Sequence, residues 1–222
     1  MRPLSSLTFH LSQQAIRTAV ILGASLLSGG VFAASLNAVA LDKAGAPMAD
    51  VVVYATPIGM PLPAPGKTDS AVISQSDMQF SPYVTAIRVG TQVKFPNYDK
   101  MEHHVKSFSP AKEFEIKTYE KGVTPPPVLF DKPGIIVVYC LLHNWMRAYV
   151  LAVETPYFAK TDASGLLKID NLPDGNYEVK AWHPNMGSIK PALTQTVSVN
   201  PQTAALKFNF DFIPLARKPA KM

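Results

Sequence analysis

From residue 34 onward the chain is dominated by a period of two. Leu206, Phe208, Phe210 and Phe212 are separated by Lys207, Asn209 and Asp211. Tyr177, Val179 and Ala181 alternate with Glu178, Lys180 and Trp182. Such alternation places one face of a strand in a core and the other toward water. Residues 51–54, 87–95 and 135–139 are denser β-branched or aromatic runs, as strands with more burial require. Turn-forming clusters interrupt these runs: DKAG at 42–45, PG at 133–134, DASG at 162–165 and PDG at 173–175. Helical periodicity is scarce. Many short strands joined by Gly/Pro turns predict an all-β sandwich or barrel.

The first 33 residues break this pattern. Arg2 and Arg17 are their only charges, residues 19–27 (AVILGASLL) form a short apolar run, and Val31, Phe32 and Ala33 end in a small residue. This has the form of a secretory signal peptide cut before Ala34, which would deliver the chain to the periplasm. The run falls well short of the roughly 20 residues a spanning helix needs. Taking Arg2 and Arg17 from the 21 basic residues leaves 19 against 16 acidic ones, a net charge of about +3. With no Lys/Arg block, nothing points to nucleic acid. Behind the leader, residues 35–60 read as two strands around the turn at 42–45. Residues 56–69, with Pro57, Pro61, Pro63 and Pro65, read as a linker. Residues 70–154 and 155–213 read as two strand-rich regions, and residues 214–222 as a basic tail.

Export alters the meaning of Cys140, the single cysteine. An oxidising compartment favours disulfides, and one thiol cannot form one within the chain. It must be buried, paired with another chain, or held by a metal. Its surroundings, "YCLLHNWM" at 139–146, add His143 and Met146 at three-residue intervals. Thiolate, imidazole and thioether together suit copper in both of its oxidation states. One short loop cannot wrap a metal, so a further ligand should come from "VKFPNYDKMEHHVKSFS" at 93–109, which offers His103 and His104. A binuclear copper centre would need a second cysteine, an iron–sulfur cluster needs more thiolates, and methionine is a poor zinc ligand.

Two segments resemble the cupredoxin family, the relatives of plastocyanin and azurin. Phe95, Asn97, Asp99, His103, Val105 and Ser107 are similar to the family's first-ligand strand. Phe130, Pro133, Gly134, Tyr139, Cys140, His143 and Met146 are similar to its ligand loop. Within the family, the chain most resembles exported plastocyanin-like proteins of the methylamine-utilisation type. The resemblance implies a Greek-key β-sandwich over residues 70–154 that binds one type 1 (blue) copper. It implies His103, Cys140 and His143 as ligands, with Met146 as the weak axial one. His104, where the family often has a small polar residue, is left as a neighbour, a supporting group or an alternative ligand.

Residues 157–184 and 37–57 resemble the transthyretin-like regulatory domain of carboxypeptidases, through Thr161, Asp162, Gly165, Leu172, Pro173, Gly175 and Tyr177. This implies a second, small β-sandwich into which the copper region is inserted. The rival arrangement makes residues 35–60 a hairpin on the copper barrel. His183 is expected to be structural, and Met101 to pack. The implied function is one-electron transfer with a redox protein such as an exported cytochrome or dehydrogenase, through a surface formed by Leu141, Leu142, His143 and Trp145, with no catalytic residues. A copper chaperone or storage protein, and a metal-free interaction module, stay open as alternatives.

Overall fold

The computed structural model describes residues 33–64 and 69–216; the expected leader, apart from Ala33, and Arg217, Lys218 and Lys221 of the tail lie outside them. Among the described residues the structure is all-β, and the only helix is one 3-10 turn, Pro184–Met186. No helix among them is long and apolar enough to cross a membrane.

In chain order, β1 (Ala33–Leu41) and β2 (Val52–Pro57) come first. Then follow β3 (Ser70–Val72), β4 (Ser74–Ser76), β5 (Gln79–Ser81), β6 (Val84–Arg88), β7 (Thr91–Lys94), β8 (His103–Ser109), β9 (Lys112–Tyr119), β10 (Val128–Phe130), β11 (Gly134–Cys140) and β12 (Arg147–Val153). The last set is β13 (Phe158–Lys160), β14 (Leu166–Pro173), β15 (Gly175–Trp182), β16 (Leu193–Val199) and β17 (Leu206–Asn209).

The first and last sets pair with each other across the intervening strands. β1 lies between β14 and β17, and β2 lies between β13 and β15, whose other edge carries β16. Consecutive in sequence, β1 and β2 therefore do not form a hairpin; they enter different sheets, and the turn at 42–45 works as a crossing. Asp42 closes that turn by accepting hydrogen bonds from the amides of Ala44 and Ala46 at 2.8 and 2.9 Å. Leu36, Val53, Tyr177, Val179 and Trp182 are fully buried between the two sheets.

The middle strands build a five-stranded sheet in the order β6, β12, β11, β8, β9, opposed by a smaller sheet of β10, β7 and β3. Phe95, Phe130, Val105, Ile136 and Val138 fill the core between them. The five-stranded sheet is covered on its other face as well. Ala148, Val150 and Ala152 of β12 enter this core, whereas Tyr149, Leu151 and Val153 enter the core of the outer strands. This explains why residues 148–153 lack alternation: a strand buried on both faces reads as a continuous apolar run.

Two sequence expectations change. The run at 87–95 is not one strand: it breaks at Gly90, whose φ of 96° turns the chain from β6 into β7, in another sheet. The alternation at 206–212 continues beyond β17, because Phe210 stays buried and its amide still donates to the Leu41 carbonyl at 2.8 Å. A third element has no sequence forewarning. β4 and β5 form a hairpin whose two-residue turn is Asp77 and Met78, with φ of 53° and 51°. A turn of this kind favours Asn-Gly or Asp-Gly; methionine in the left-handed region costs about 1–2 kcal/mol.

Candidate metal centre

Cys140 is the last residue of β11, and the register pairs it with Val105 on β8. β8 begins at His103, and alternation along it sends His103, Val105 and Ser107 into the core. Two neighbouring strands thus set the backbone positions of the thiol and the first imidazole. The other donors come from residues 141–146, a tight return whose geometry is set by its own backbone. Met146 N–H donates to the His143 carbonyl at 2.9 Å, and Cys140 N–H donates to the Met146 carbonyl at 3.2 Å.

The result is a convergence of donor atoms. Nδ1 of His103 lies 3.6 Å from the Cys140 sulfur, and Nδ1 of His143 lies 3.5 Å from it. One ligand atom from each of the three falls within 4.8 Å of the others. Donors sharing one ion through bonds of about 2.0–2.3 Å sit roughly 3.5–3.8 Å apart, so the spacing fits a metal without rearrangement. Met146 is fully buried in the same core as Cys140. His104 points away: its Nε2 lies 3.0 Å from Glu115 of β9 without the alignment of a hydrogen bond. Its backbone, however, turns toward the site.

Electrostatics favours the thiolate. Burial pushes the Cys140 thiol up, but this is outweighed by hydrogen bonds from His103, the His104 amide, His143 and the Leu142 amide, which bring its pKa down to about 6. A deprotonated sulfur is the form that binds metals. For His103, burial opposes the charged form, while contacts with Cys140 and Asp99 overcome this and raise its pKa.

Asp99 is the supporting residue that the sequence did not single out for a role. Its carboxylate lies 2.7 Å from Nε2 of His103, and its own amide donates to the Asn97 side chain at 2.9 Å. With Nε2 held this way, His103 turns Nδ1 to the site, where a bound metal would take the place of the proton it shares with the Cys140 sulfur, the usual orientation of a ligating histidine. Asn97 is fully buried and donates to the carbonyls of Met101 and Tyr119, fixing the whole bend before β8. The signal was present as the four-residue spacing from Asp99 to His103. Trp145 stacks obliquely on His143, with ring centroids 5.4 Å apart.

The remaining expectations can be placed. Met101 lies outside the buried core at 41% exposure, and Asn97 holds its backbone carbonyl. His183 is buried outside the cluster and caps the 3-10 turn by accepting from the Asn185 amide at 3.1 Å. Leu141 and Leu142 are about half exposed, at 51% and 50%, beside the partly buried His143.

No protein-family model and no curated relative matches the chain. Among solved structures it is similar to the purple cupredoxin of Nitrosopumilus maritimus, at 24% identity over 38% of this chain and 100% of that one, with a TM-score of 0.34. It is also similar to a reduced amicyanin variant, at 22% identity over 45% of this chain and 99% of that one, with a TM-score of 0.35. The copper-containing nitrite reductase of Thermus scotoductus SA-01 matches at 23% identity over 45% of this chain but 25% of its own length, with a TM-score of 0.37. Identities and scores of this size leave the weight on the chain's own donor set.

Proposed function

We propose that this protein binds one type 1 copper through His103, Cys140, His143 and, weakly, Met146, and that it carries single electrons between protein partners in the periplasm. The observation that carries the reading is the pair of Nδ1 atoms placed 3.5 and 3.6 Å from a buried thiol whose surroundings favour the thiolate. Bound copper would supply a one-electron couple. The chain's residues do the rest. β8 and β11 hold two donors at a fixed separation in either oxidation state, which limits rearrangement on transfer. Four protein donors leave no open coordination position, which suits a carrier better than an enzyme acting on a small substrate. Leu141, Leu142 and Trp145 surround the only donor that reaches the surface, His143, so the partner would dock there. The charge of about +3 expected after leader removal favours an acidic partner region.

The reading also includes the architecture: residues 70–154 form a copper module inserted into a transthyretin-like sandwich made of residues 35–60 and 155–213. The strand pairings of β1 with β14 and of β2 with β15 support it.

The test is the visible and paramagnetic-resonance spectrum of the copper-loaded, oxidised protein. An intense thiolate-to-copper band that disappears in Cys140→Ser supports the carrier. Tight Cu(I) binding with no such band in the oxidised state would replace it with a copper chaperone or store.

A further inference from the structure

The supports of the two histidines meet at one residue. Asp99, which holds Nε2 of His103 through its Oδ2, accepts on that same oxygen a hydrogen bond of 3.0 Å from the amide of Met78. Trp145, whose ring lies against His143, donates from Nε1 to the carbonyl of Met78 at 3.2 Å. Met78 thus offers one backbone group to the support of each imidazole. It does so from the left-handed turn of the β4–β5 hairpin, where its φ is 51°. The hairpin is itself sewn to the bend before β8: the Gln75 amide donates to the Pro96 carbonyl at 3.0 Å, and the Tyr98 amide donates to the Gln75 carbonyl at 2.9 Å.

A methionine retained where glycine is favoured needs a reason, since backbone strain persists only when its surroundings hold it in place. In an ordinary right-handed turn the N–H and C=O of this residue would point elsewhere. The left-handed geometry is what lets one residue reach Asp99 and Trp145 together.

We infer that the Asp77 and Met78 turn is a brace that fixes the mutual orientation of His103 and His143. Met78 and Trp145 are then positioning residues, acting through Asp99 on one ring and by direct stacking on the other. The inference rests on reading both histidines as ligands of one copper ion. The brace is built into the protein and exists before any metal arrives, so it can be tested on the metal-free chain.

The test compares wild type, Trp145→Phe and Met78→Gly. Trp145→Phe keeps an aromatic ring beside His143 and removes only the donor to Met78. Nitrogen-15 NMR of the metal-free protein reads the exchange of the His103 Nε2 proton, which Asp99 protects. The expected result is exchange about tenfold faster in Trp145→Phe, because opening of the brace frees Asp99. The copper-loaded variant should also show a displaced thiolate-to-copper band at undiminished copper content. Met78→Gly keeps both backbone groups and relieves the turn, so its exchange should stay within about twofold of wild type. Equal exchange in wild type and Trp145→Phe overturns the brace, whatever the copper spectrum does. Fast exchange in Met78→Gly together with unchanged exchange in Trp145→Phe overturns it too, by moving the effect to the Met78 side chain. Failure of the copper reading is separate: it appears as a missing band in wild type, with the metal-free exchange pattern intact.

Discussion

His103 and His183 are both buried, at 0% and 6% exposure, yet they sit in opposite environments. Both ring nitrogens of His103 face groups that stabilise charge, the Asp99 carboxylate and the Cys140 sulfur, and its pKa rises. The His183 side chain accepts from the Asn185 amide and has one face against Phe212; burial, only partly opposed by Asp50, pushes its pKa down to about 4. Burial alone therefore does not mark a functional histidine. What distinguishes the candidate site is that a buried imidazole turns Nδ1 toward a second donor, the Cys140 sulfur, while its other nitrogen is held by a carboxylate.

That contrast can be broken by substitution. His103→Ala should abolish tight copper binding and the thiolate-to-copper band, whereas His183→Ala should leave both intact; titration of each variant with copper under visible spectroscopy checks this. If the two behave alike, the distinction fails.

A smaller effect should appear on acidification. The folded pKa of His183 lies below the unfolded value of about 6.5, so as pH falls the unfolded chain takes up a proton first. The stability linked to this group is complete above about pH 6.5 and is lost progressively toward pH 4, amounting to about 3 kcal/mol. His183→Asn retains an acceptor for the cap and cannot titrate. Urea unfolding of the metal-free protein between pH 7 and pH 4 should show a shallower loss in this variant than in wild type.

The contrast is sharpened at the surface. Leu142→Glu should slow exchange with an acidic redox partner about tenfold while sparing the copper spectrum, measured by stopped-flow mixing. The smallest effect belongs to His104. Because its side chain lies against Glu115 without a hydrogen bond and only its amide serves Cys140, His104→Gln should change stability by less than about 0.5 kcal/mol. The visible band should not move.

Much of this was readable from the residues. The β class followed from alternation, because an exposed strand face is polar. Residue chemistry and order could bring Cys140 and His143 together with the His103 and His104 pair, and the family resemblance chose His103; two adjacent strands and one tight loop need little else to make the three converge. The hairpin at Ser74–Ser76 and Gln79–Ser81 could not. Its turn violates the usual preference for glycine, and what holds it, the contacts of Met78 with Asp99 and Trp145, spans 21 and 67 residues of sequence. Nor was the split at Gly90 legible, because an apolar run that crosses between two sheets looks like one that stays in a single sheet. β12 hid its strand period for a related reason, being buried on both sides.

The placement of β12 has a thermodynamic consequence. Tyr149 meets Trp182 in one core with ring centroids 6.1 Å apart, while Val150, the next residue, is sealed in the other. A strand cannot leave one core and stay in the other, since each peptide carries side chains committed to both. Heating should therefore yield one calorimetric transition instead of two, and metal bound near Cys140 should raise the melting temperature of the outer strands, β1, β2 and β13 to β17, that never touch it.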